Sequence, residues 1–182
     1  MDGNPHRVFA VAAEVAWVAA SGAPLWVALA GAPLAAAVSA GPTSPDIDNT
    51  RNWRAVLSTF PGRADNKVLG HRRITHWWGW PALAAYLLVG ADQGEIGWVA
   101  WALIIGWSSH IIGDFCFGKG GYDIPRGVPV LPWGWHVGLG WKSGRKKDRE
   151  TGAYASSWRT ADRYFCGAAL LFSIGLMIAA HS

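Results

Sequence analysis

The sequence predicts an all-α fold, an integral membrane helical bundle of four to five helices with two long cytoplasmic loops. Three observations point there. Half of the chain is apolar and it holds 13 Trp, a composition that soluble domains of 182 residues seldom show. Long, weakly charged runs recur along it. Every Lys and Arg falls in one of three segments that alternate with those runs. The length suits one domain, so 1–182 reads as a single membrane-embedded unit.

The runs follow in order. Val8–Ala20 comes after Arg7 and is interrupted by Glu14, a costly residue inside a membrane helix that is expected to find a partner. Glu14 and the second run, close behind, argue against a cleaved leader. Leu25–Ala40 carries Pro33 and ends in the turn chemistry of "GPTSPDID". Trp77–Gly90 opens with a Trp belt suited to a membrane boundary. Ile96–Gly113 and Phe165–Ala180 come closest to the roughly 20 apolar residues a bilayer core requires. The polar loop Thr43–His76 holds a short helix expected around Asn52–Thr59. The loop Phe117–Thr160 combines Pro with Trp, as in a segment lying in the interface, before the basic run Gly144–Arg149.

Charge placement sets the orientation. Arg7 precedes the first run, six basic residues lie between the second and third, and nine lie between the fourth and fifth. The connections "SGAP" and "ADQGE" hold none. If each run crosses once, all positive charge is on one side, and that side is cytoplasmic by the positive-inside rule. The sequence pI of about 9.3 is thereby explained, and nucleic acid is not expected as a partner. Cys116 and Cys166 fall at cytoplasmic helix ends, where free thiols are expected rather than a disulfide.

On this topology the ionisable residues converge. His110 and Asp114, four apart, share one helix face at the cytoplasmic end of the fourth run. Asp46 and Asp48 follow the second run. His71 and His76 precede the third, with His76 expected on its first helical turn, and His6 precedes the first helix. The bland readings are a buried His–Asp hydrogen bond, a helix-terminating turn and positive-inside charge. Convergence of four segments favours a metal site. Mixed His/Asp ligation suits a divalent ion, zinc first with manganese or iron as alternatives, and seven candidates allow one to two or more ions.

"SPDID", "GHRRITH" and "SSHIIGD", in this order, resemble the motifs of the YdjM-like bacterial inner-membrane metal-dependent hydrolases, as does the segment Gly127, Val128 and Pro129. The similarity covers nearly the whole chain. It implies a multi-pass protein of the bacterial inner membrane with a hydrolytic metal site facing the cytoplasm, and binding of a protein partner as a further role. The chain departs from the family pattern at Trp77, where serine is usual, and in a longer loop after Asp114, with Phe117 where threonine is common. Both changes alter the pocket wall rather than the ligands. The H-x-x-x-D element is also similar to that of zinc-dependent phospholipases C and P1-type nucleases, helical phosphoesterases with clustered metals.

The functional expectation is therefore a membrane-bound metal-dependent hydrolase, a phosphoesterase working with a metal-activated water on a phosphoester or lipid substrate. His6, Asp46, Asp48, His71, His76, His110 and Asp114 are the candidate ligands. Asp48 is a candidate general base, and Arg72 a candidate for phosphate binding and charge stabilisation. The alternative is a non-catalytic membrane protein whose metal holds the helices together and whose basic loops bind a protein partner or anionic lipid.

Overall fold

The computed structural model describes residues 3–41, 43–48, 75–90, 96–117, 127–131, 135–139 and 161–182. The helix expected around Asn52–Thr59 and the basic run Gly144–Arg149 lie outside them. The described residues form helices α1 (Gly3–Ser21), α2 (Leu25–Ser39), α3 (Gly79–Val89), α4 (Gly97–Phe117) and α5 (Ala161–His181). A 3₁₀ turn spans Pro45–Asp48, and the strands β1 (Val128–Pro129) and β2 (His136–Val137) form one short antiparallel ladder.

Helix α1 begins ahead of its apolar run, so His6 rides on its first turn rather than preceding the helix. Pro5 does not prevent this, because the first turn of a helix has no use for the missing N–H. Gly22, at φ +68°, closes α1 and starts the tight passage to α2. His76 is likewise displaced from its expected place. It sits in a turn three residues before α3, because Trp77 folds its indole over Gly79, where any side chain would collide with the ring. Helix α3 is therefore only 11 residues long, about half of what a hydrocarbon core demands.

Helix α1 packs on α2, α4 and α5, and α2 packs on α4, whereas α3 touches the bundle mainly through α4. Helices α2 and α4 approach closely. A Cβ on Gly106 would strike Val38 and the backbone of Ala35, so glycine there sets the helix separation. Further along α1, Glu14 is fully buried with its carboxylate against Gly31 of α2, in a slot that exists because Gly31 has no side chain. The expected partner of Glu14 is missing: neither carboxylate oxygen makes a hydrogen bond among the described residues.

Burial is inverted relative to a water-soluble domain. His6, Glu14, His76, His110 and Asp114 are buried, while Leu29, Tyr86, Leu171 and Phe172 are about 70% exposed. An apolar exterior of that extent is the kind of surface that meets a membrane or another protein. Two helices, α4 and Arg163–His181 of α5, are long and apolar enough to cross a membrane. At 21 residues, α4 is about 31 Å long. One end of the bundle is aromatic: Trp17 stacks on Trp101 and Trp26 meets Trp98 edge-on. The other end gathers the histidines and aspartates.

Candidate metal centre

Four helix ends build the polar cluster. Helix α2 exits through Gly41, whose φ of +98° turns the chain back under the bundle. The Ser44 hydroxyl donates to the Gly41 carbonyl (2.7 Å) and accepts from the Asp46 amide (3.2 Å). That local hydrogen-bonded turn fixes the position of Asp46 at the start of the 3₁₀ segment Pro45–Asp48. Helix α4 supplies His110 and Asp114 one turn apart, and the turn before α3 supplies His76.

The Gly106 contact has a direct consequence one turn further on. Because α2 and α4 nearly touch there, His110 Nδ1 reaches the Ser39 carbonyl at 2.7 Å. A carbonyl can only accept, so Nδ1 carries the proton and Nε2 presents a lone pair to the cluster. Thr75 Oγ1 contacts His76 Nδ1 at 3.1 Å, which turns the other ring nitrogen inward. The two Nε2 atoms then stand 3.2 Å apart.

Asp46 Oδ1 lies 3.3 Å from His76 Nε2 and 3.6 Å from His110 Nε2. Asp114 Oδ2 lies 3.5 Å and 3.8 Å from the same atoms. All four ligand atoms fall within 4.8 Å of one another. A tetrahedral zinc with ligands at ~2.0–2.1 Å has ligand–ligand edges of about 3.3 Å. The cluster therefore has the donor set and the spacing to hold one divalent ion. Burial works against charge on Asp46, but where the imidazoles of His110 and His76 are protonated, with no ion bound, their hydrogen bonds and charges outweigh it and hold the carboxyl far below the usual carboxylate range.

The family comparison adds to this geometry. A family model described as YdjM inner membrane protein matches residues 1–181. The chain belongs to the YdjM family. No curated protein and no solved structure matches it. Its two membrane-length helices agree with the inner membrane location in the YdjM name.

Of the seven candidate ligands, the YdjM fold brings Asp46, His76, His110 and Asp114 together. His6 stands beside them, stacked on His110 at a centroid distance of 4.0 Å, with Nε2 3.6 Å from Asp114 Oδ1. The Asp48 backbone closes the 3₁₀ turn, but its side chain lies outside the described residues, as do His71 and Arg72.

Sequence reasoning missed the outer partners Ser39, Ser44 and Thr75. Ser44 and Thr75 each stand within two residues of a ligand, so their signal was present. Ser39 acts through its carbonyl and left none. Also missed was the β1–β2 strap over the end of α4. The Leu139 amide donates to the Phe115 carbonyl (2.8 Å), and Val130 O accepts from the indoles of Trp77 and Trp78 (3.2 Å each). Gly127, at φ +75°, leaves no space for a side chain against Val137. The strap thus ties the end of α4 to the turn that carries His76.

Proposed function

We propose that this YdjM protein is a metal-dependent hydrolase of phosphoesters whose site opens on the cytoplasmic face of the inner membrane. The observation that carries the reading is the four-atom cluster of Asp46, His76, His110 and Asp114, with His110 oriented by Ser39. A divalent ion there would acidify a coordinated water and polarise a phosphoryl oxygen. Zinc fits the donor set best, with manganese or iron as the alternatives. A second ion would take His6 Nε2 and the other oxygen of Asp114, which stand 3.6 Å apart.

The chain's own residues supply the rest. The side chain of Asp46 is 29% exposed while those of His76 and Asp114 are almost fully buried, so Asp46 is the ligand of the four that meets solvent most. Asp48, two residues on, is the proposed acceptor of the water proton, and Arg72 the proposed contact for phosphate. The cytoplasmic assignment rests on Arg7, exposed at this end, and on the two basic segments that follow α2 and α4 in the sequence.

A second reading, a structural metal, draws on the same cluster. Four protein ligands from three segments, the turn after α2, the turn before α3 and α4 itself, can close a tetrahedral site and staple the helix ends together. Metal analysis and turnover separate the two. Protein purified in detergent is expected to retain at least one transition metal per chain. Absence of metal would sink both readings. Asp48→Asn is expected to keep the metal and the fold while losing hydrolysis of a phosphoester panel. Retained metal with no hydrolysis even in the wild type would favour the structural role.

A further inference from the structure

Helix α3 is the least embedded element. Its large apolar side chains, Leu83, Tyr86, Leu87 and Val89, are 49–77% exposed. Against α4 it presents Pro81, Ala85 and Leu88, with Ala82 and Ala84 exposed on the flanks of that contact. Pro81 and Ile104 make the ridge on which the two helices meet, and a cavity lies on either side of that ridge. The first, about 430 Å³, runs between Trp80 and Ala84 on α3 and Leu103 and Trp107 on α4. The second, about 490 Å³, lies between Ala82 and Ala85 on α3, Phe9 and Ala13 on α1, and the far flank of α4. Both are of the size that holds a small-molecule ligand.

No ligand of the cluster lines either cavity, but each cavity ends one residue from one. Thr75 lines the first, and its hydroxyl touches the His76 ring. Ser109 lines the second and directly precedes His110. From there each continues along α4 past Ile104, among apolar side chains on the membrane side. Unfilled apolar space forfeits dispersion contacts, and closely packed helices avoid it. Two parallel apolar slots that share one polar head have the shape of a lipid with two chains. A divalent ion at the cluster, with Arg7 exposed at the same end, complements an anionic headgroup.

We propose that the site binds a two-chain membrane lipid bearing a terminal phosphate, with the phosphate at the cluster and one acyl chain in each groove. This names the substrate class and rests on the hydrolase reading for turnover, though not for binding. In turnover the water oxygen would bond to phosphorus and the bond from phosphorus to the glycerol oxygen would break. One water proton would pass to that oxygen, releasing diacylglycerol and inorganic phosphate.

Zinc-loaded full-length protein in detergent tests this by native mass spectrometry with dioleoyl phosphatidic acid. Wild type is expected to retain the lipid at least about tenfold better than dioleoyl phosphatidylcholine. Ala84→Trp and Ala85→Trp, which fill one groove each, are expected to weaken retention about tenfold with zinc content unchanged. If Ala84→Trp loses its zinc, Leu103→Trp fills the same groove from the opposite wall. Equal retention of phosphatidylcholine would mark an annular lipid only and overturn the proposal, as would undiminished retention in the groove-filled variants. Selective retention without any hydrolysis would uphold the lipid site and defeat the hydrolase reading alone. Hydrolysis of p-nitrophenyl phosphate with unselective lipid retention would do the reverse.

Discussion

Helices α4 and α5 are both 21 residues long and strongly apolar, and they do different work. In their membrane-length windows, 44% of α4 is buried against 17% of α5. Each has a histidine with Nδ1 on a backbone carbonyl. His110 of α4 reaches across to Ser39 of another helix (2.7 Å), whereas His181 of α5 bonds back to Met177 of its own (3.0 Å). Each has glycines as well. Gly106 of α4 is pressed against α2, while Gly167 and Gly175 of α5 have nothing among the described residues within 4 Å of an added Cβ. Apolar length qualifies a helix for the membrane. Small residues in register with ionisable ones decide whether it belongs to the interior.

The largest effect should separate the two histidines. His110→Ala removes a ligand and also strands the Ser39 carbonyl. Metal affinity should fall by more than the 10–100-fold typical of losing an outer partner. His181→Ala should leave it unchanged. Metal content after dialysis against a chelator reads both, and equal losses would erase the distinction between the helices.

The same contrast shows what the sequence could and could not disclose. Helix α4 and its His110–Asp114 pair were legible because a four-residue spacing has one meaning on a helix. Asp46 and His76 were legible because chain topology sends the ends of α2 and α3 to the same side. The conformation of "PDID" was not, since alternate carboxylates in an extended segment and in a 3₁₀ turn look identical as letters. His76 was placed on a helix because "HWWGW" is apolar enough to begin one. Only the packing of Trp77 over Gly79 shows why the helix starts later. The Glu14 slot also escaped notice, because it depends on a glycine in a different helix.

The next effect concerns helix separation. Gly106→Ala drives a methyl group into Val38 and Ala35. Overpacking of this kind costs about 1–3 kcal/mol. It should also move Ser39 away from His110, so metal affinity should fall together with stability. Denaturation in mixed micles of rising SDS content measures the first and chelator competition the second. A loss of stability with metal affinity intact would show that His110 does not depend on the α2–α4 contact for its orientation.

A smaller and more specific effect belongs to the second glycine contact of the bundle. Gly31→Ala places a methyl on the buried carboxylate of Glu14 and should destabilise by about 1–3 kcal/mol. Glu14→Ala in the same chain removes the obstacle along with two oxygens that have no hydrogen bond among the described residues. The double variant should therefore recover most of the loss. A double-mutant cycle reads the coupling, and additive effects would mean that Gly31 is not there to make room for Glu14.

The smallest effect lies on α5. Gly167→Ala and Gly175→Ala add a methyl where nothing among the described residues stands within 4 Å. In water the exchange would favour the helix by up to about 1 kcal/mol. In a membrane the unfolded reference is already helical, because backbone groups cannot be left unpaired in lipid, so the gain should lie between zero and that value. Both variants should match or slightly exceed wild type in the SDS titration. If Gly175→Ala instead costs as much as Gly106→Ala, the exposed face of α5 is packed against another chain in the membrane. The contrast between the two helices would then lie between an internal contact and an external one, rather than between a packed face and a lipid-facing one.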